Sequence, residues 1–179
     1  MSSYSNAAAT AKANAAAYTQ SLLDKLGERK ALEVLAESPS DVRSLLESVD
    51  DAALRRPERE GKWSMLQVAQ HLADVELVVG FRYRMPVAED NPSLQGYDQD
   101  LWVQRLWRGD ETVSDVLAQF EDIRAANLRF LRRLRPEEWE RAGMHAERGR
   151  ETVRHTANLA AGHDLVHRAQ MRRVRDAVR

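Results

Sequence analysis

The chain of 179 residues contains no cysteine. That absence excludes a disulfide scaffold, a thiolate zinc site and a cysteine nucleophile together, so any metal must be held by His, Asp or Glu. No apolar run approaches the roughly 18 to 20 residues of a membrane span. The alanine-rich start, MSSYSNAAATAKANAAAY, lacks the basic and strongly apolar regions of a signal peptide. The expectation is a cytoplasmic protein with no membrane partner. Neither charge sign dominates: 27 Lys and Arg stand against 28 Asp and Glu, a net charge of -1. That balance gives no global attraction to nucleic acid, and no nucleic-acid partner is expected. Glycine and proline number only 8 and 5, and most mark connections. Stretches of β-branched residues with alternating polarity are also missing, so no strand is expected.

What remains has helical period. Residues 1–16 form a low-complexity tail, and 17–179 form one domain, long enough to bury a core. The pattern is helical from Tyr18 to Glu37, with Leu22, Leu23, Leu26, Leu32 and Leu35 as apolar contacts. Ser38 followed by Pro39 predicts a fresh helix start, because proline at the first helical position loses no hydrogen bond. The first arm is therefore expected to break or kink near Pro39. Ser64, with Gln67 three residues on, is a capping-box signature and opens a second helix running to about Met85. A turn-rich link, PVAEDNPSLQGYDQD, follows, with a short helix at Leu101 to Trp107. Thr112 and Asp115 start a third helix that Pro136 terminates, and a fourth runs from about Thr152 to Asp176. Four amphipathic helices bury their stripes against one another, which predicts an all-α four-helix bundle. The link between helices two and three is long enough to span the bundle and permits a crossover.

Three histidines fall on inner faces. Residues i, i+3, i+4 and i+7 share one side of a helix, and His163 and His167 lie in the apolar stripe of the last helix with Leu159, Ala160, Val166 and Met171. His71 lies in the stripe of the second helix with Val68, Leu72, Val75 and Val79. Each buried polar ring needs a partner, which a core hydrogen bond or a shared divalent metal can supply. Imidazoles at i and i+4 point side by side, and a third from a neighbouring helix completes a three-nitrogen set with an open coordination position. The run His163-Asp164-x-x-His167 is one methylene short of the H-E-x-x-H of zinc peptidases. That reading lacks a downstream ligand, since neither His nor Glu occurs among the 12 residues after His167.

The stretches GKWSMLQVAQHLADVE, AEDNPSLQGYDQD, GMHAERG with the following Thr152, and GHDLVHRAQ resemble, in order and spacing, the DinB-like (YfiT-like) superfamily of bacterial metalloproteins. The resemblance covers about residues 30 to 178. It implies a four-helix bundle with up-down-down-up threading, a divalent metal, zinc or nickel, on His71, His163 and His167, and a homodimer. It further implies either metal-dependent hydrolysis of a small-molecule substrate or transfer of a low-molecular-weight thiol. Both chemistries use an open metal position to lower the pKa of a bound water or thiol. The competing reading is a non-catalytic metal-binding, stress-related bundle whose site stabilises the fold or a dimer.

Asp74, His145 and Asp164 are the candidate acid–base groups. Asp74 sits one turn after His71, Asp164 sits beside His163, and His145 stands in the loop before the last helix. Gln170 is placed to orient His167 or to bond across the bundle. Asp90, Asn91, Tyr97 and Asp98 either rim a pocket or cap the short helix. Arg124 and Asn127 interrupt an apolar stripe, either lining a pocket or bonding internally. Trp63, Trp102, Trp107 and Trp139 are expected to anchor loops, and Glu76 is expected at the surface.

Overall fold

The computed structural model describes residues 3–178, with side chains from residue 15 onward. Helix α1 spans Ser3–Leu26 and α2 spans Ala31–Leu46. Between them the chain turns at Gly27, whose φ of 59° suits a residue without a Cβ and whose N–H closes the helix on the Leu23 carbonyl (2.9 Å). The first arm thus breaks at Gly27, twelve residues before the predicted position. Pro39 lies inside α2, and Ser38 is no N-cap: its hydroxyl donates to the Val34 carbonyl at 2.9 Å. A proline in a helix leaves the carbonyl four residues back without its usual donor. Here that carbonyl is Leu35, and it accepts from Arg124 Nη1 at 2.7 Å. A side chain from another helix replaces the missing N–H, and α2 continues unbroken.

A single turn, α3 (Asp51–Leu54), precedes α4 (Met65–Ala88). The capping box forms as read: Ser64 Oγ accepts from the Gln67 N–H at 3.3 Å, and the Ser64 N–H donates to Gln67 Oε1 at 3.0 Å. The helix runs past the predicted end and holds Pro86 within its last turn. Helix α5 (Gln99–Leu106) is capped by Asp98, which accepts from the Leu101 N–H at 2.9 Å. Thr112 caps α6 (Val113–Leu131) through the Asp115 N–H at 3.1 Å. The last helix, α7, spans Val153–Val178.

Three short strands correct the expectation of none. Strand β1 (Ser93–Leu94) pairs in parallel with β2 (Ala142–His145), and β2 pairs antiparallel with β3 (Gly149–Thr152). The sheet ties the long link to the hairpin that enters α7. Arg141 reinforces the tie, donating to the Glu89 carbonyl and to Asp90 Oδ1, both at 2.8 Å.

The packing fixes the threading. Val42, Leu45 and Leu46 near the end of α2 cluster with Met171, Val174 and Val178 near the end of α7, so these helices run parallel. The start of α4 (Met65, Leu66) joins the same cluster with the start of α6 (Val116, Leu117). At the other end, Val75, Val79 and Tyr83 of α4 meet Leu128 and Leu131 of α6 and Val153 and Ala157 of α7. Helices α4 and α6 are therefore parallel to each other and antiparallel to α2 and α7. The result is an up-down-down-up four-helix bundle, with α1 packed outside it against α7. No helix among the described residues is long and apolar enough to cross a membrane.

Candidate metal centre

Helices α4 and α7 carry the three histidines to one point inside the bundle. His71, His163 and His167 are 1%, 7% and 6% exposed. His163 Nε2 stands 3.1 Å from His71 Nε2 and 3.0 Å from His167 Nε2. One ligand atom from each ring lies within 4.8 Å of both others. Donors at about 2.0–2.1 Å from a tetrahedral zinc are separated by about 3.3 Å, so the rings are close to the spacing a divalent ion requires.

The electrostatics favour neutral rings. Burial, with a smaller contribution from His167, pulls the His71 pKa down to about 3. Burial also holds His163 well below the ordinary histidine value, with His167, His71 and Arg124 adding to it. His167 is lowered by burial too, against the opposing pull of Gln170 and Asp164. The Nδ1 of His167 lies 2.8 Å from Gln170 Oε1. An amide oxygen only accepts, so Nδ1 carries the proton and Nε2 presents its lone pair. Three converging ring nitrogens need a proton or a cation among them, and burial opposes extra protons. A divalent cation fits this donor set. Trp63, expected only to anchor a loop, also walls the site: its ring lies 4.9 Å from His71 and stacks at 6.2 Å over His167.

The carboxylates nearby have other partners. Asp164 and Glu76 are buried on either side of Arg124, whose Nη1 donates to Asp164 Oδ2 at 2.7 Å and whose Nη2 donates to Glu76 Oε1 at 3.0 Å. Burial alone would lower the Arg124 pKa, but Asp164 and then Glu76 raise it, keeping the guanidinium charged. Asn127 donates to Glu76 Oε2 at 3.0 Å and to its carbonyl at 2.9 Å. Arg124 and Asn127 thus bond internally, and Glu76 is a core residue, contrary to the surface position expected for it. Asp74 is buried too; its Oδ1 accepts from Gln70 at 3.0 Å, and burial raises its pKa.

His145 differs. It is a buried residue of β2 and lines, together with His163, a cavity of about 340 Å³. Its Nδ1 accepts from the Glu147 N–H at 3.2 Å, which leaves the ring proton on Nε2. Burial lowers its pKa, and Arg148 lowers it further. Tyr97 and Asp98 line the same cavity, so Asp98 both caps α5 and faces the pocket. Arg82 and the α1 residues Tyr18, Thr19 and Leu22 complete walls that sequence reading did not identify. Of the three acid–base candidates, His145 alone shares this cavity.

Residues 35–171 match the DinB superfamily. The chain belongs to that family. The DinB match contains all three histidines and leaves α1 outside. Relatives include "Putative metal-dependent hydrolase YfiT" of Bacillus subtilis, 26% identical over 125 residues, which are 70% of this chain and 70% of that protein. A similarly named protein of Bacillus mycoides is 23% identical over 158 residues, 88% of each chain. The solved structure of Bacillus subtilis YfiT, described as a four-helix bundle of unusual topology, superimposes with a TM-score of 0.70 at 25% identity, covering 80% of this chain and 85% of that one. The four-helix bundle protein TT2238 gives a TM-score of 0.60 at 25% identity, covering 80% and 96%.

Proposed function

We propose that this DinB-superfamily protein is a metal-dependent hydrolase in which His71, His163 and His167 hold one divalent ion, zinc or nickel. The observation that carries the reading is the convergence of three neutral Nε2 atoms beside a cavity that His163 also lines. Three protein ligands leave at least one coordination position for a small molecule. An ion held there supplies a nucleophile near neutral pH by lowering the pKa of a bound water or thiol. The protein's own contribution is geometric. Gln170 fixes the His167 tautomer, Trp63 shields the rings on one side, and the bundle interior excludes bulk water. The names of the relatives support hydrolysis. A low-molecular-weight thiol in place of water would give S-transfer at the same position. A cobalt-substituted protein distinguishes the two, since a bound thiolate perturbs its spectrum. We further assign a homodimer, for which Leu77 and Phe81, exposed one turn apart on α4, offer an apolar face, and a cytoplasmic location.

The test is elemental analysis of untagged protein. Wild type is expected to carry about one zinc or nickel per chain, the number that one three-histidine site holds, and His71→Ala much less. Negligible metal in wild type after incubation with zinc or nickel would leave the histidines as core residues and remove the enzyme reading.

A further inference from the structure

Arg82 lines the cavity beside His163, is only 7% exposed, and forms no ion pair among the described residues. One of its terminal nitrogens donates to the Gln95 carbonyl, but its Nε has no hydrogen-bond partner. The carboxylates around it are taken or distant. Glu151 is paired with Arg148, and Glu147 acts on Arg82 only through space. A buried charge is ordinarily compensated by an opposite charge, because desolvation is otherwise uncompensated. His145, 2% exposed on the same cavity, presents a second unpartnered donor, its Nε2–H. One side of the cavity is apolar, with Val75, Val78 and Val79 from α4 and Leu159 and Ala160 from α7, while Asp98, Glu147 and the Glu151-paired Arg148 add charged groups to the lining.

We propose that the cavity takes a small organic monoanion, whose carboxylate pairs with Arg82 and whose short apolar body lies along the valine wall toward His163. Two donors on planar groups, one charged and one neutral, suit a carboxylate. Asp98 and Glu147 line the same space and oppose a dianion such as a phosphate monoester. The volume of about 340 Å³ is at the small end of ligand pockets, which limits the body to a short chain or a single ring. Thr19 and Leu22 also line the cavity. They belong to α1, outside the residues that the family model matches, so the size limit is set by a segment beyond that match. Only the assignment of this ligand as substrate rests on the metal reading; its binding does not.

The test compares hexanoate with hexanamide, equal in shape and different in charge, by calorimetry on the protein as isolated and after metal stripping. Hexanoate is expected to bind at least about tenfold more tightly in both preparations, a difference of about 1.4 kcal/mol. Arg82→Gln should abolish the preference, and Arg82→Lys should keep part of it. A preference that needs the ion and survives in Arg82→Gln would place the carboxylate on the metal, overturning this proposal while sustaining the metal centre. Equal binding of acid and amide to wild type would overturn it as well. A preference in stripped protein, with no metal found in any preparation, would sustain the anion site and remove the hydrolase. Should Arg82→Gln fail to fold, Val78→Trp fills the cavity while leaving Arg82 in place. It should weaken both ligands, and undiminished binding would overturn the proposal.

Discussion

Arg124 delivers one positive charge to two buried carboxylates and one orphaned carbonyl, and so joins four helices at a single guanidinium. Asp164 comes from α7, Glu76 from α4, the Leu35 carbonyl from α2, and the arginine itself from α6. Removing one member of a buried charge network leaves the others uncompensated, at a cost of about 3–5 kcal/mol. Arg124→Met is therefore expected to lower stability by that order in chemical denaturation; a loss below about 1 kcal/mol, the range of an exposed pair, would show the network to be incidental. At this scale the sequence was partly legible. The histidine stripe could be read because each ring repeats the apolar period of its own helix. Glu76 could not, because a stripe argument assumes one buried face, whereas α4 packs against both α6 and α7. Asp164, adjacent to a ligand candidate, resembles a catalytic base in sequence, and only the tertiary position of Arg124 reveals its buried ion pair.

Caps and breaks decide the elements. Ser64 and Thr112 were legible because a cap is a local interaction within three residues. Pro39 was misleading for the complementary reason: what lets α2 continue is a donor 85 positions further along the chain, at Arg124. The strands, two to four residues each, are too short for an alternating pattern, and β1 finds its partner some fifty residues away. The seam between α1 and α7 depends on Gly162. A Cβ there would stand 2.1 Å from the Leu22 carbonyl oxygen, which belongs to the helix backbone and cannot rotate aside. Gly162→Ala should push α1 off α7, lowering stability by about 1–3 kcal/mol as overpacking does. It should also expose α1 to limited proteolysis ahead of the bundle. A variant with wild-type melting and wild-type protease resistance would show that α1 can shift without loss.

On the scale of the whole molecule, parallel α4 and α6 need a connection that returns along the bundle. That length was legible in the turn-rich link, and Tyr97 and Asp98 were among the candidates for a pocket rim; which of the two offered roles each takes, and the place of Gly96 beside them, needed the fold. The proposed homodimer is tested on the face of Leu77 and Phe81, which are 50% and 57% exposed. Light scattering should give a dimer for wild type and a monomer for the Leu77→Glu/Phe81→Glu double variant. A monomeric wild type, or a dimeric double variant, removes this interface. The two nitrogens that meet at 3.1 Å, on His71 and His163, are separated by 92 positions in the chain. An unfolded chain rarely brings such distant groups together. Any species that needs all three rings therefore recognises the native state alone, and its concentration acts as a thermodynamic lever on folding: at one hundred times its dissociation constant it deepens the native well by about 2.7 kcal/mol. The abundance of folded protein in a cell is thereby coupled to the supply of that species.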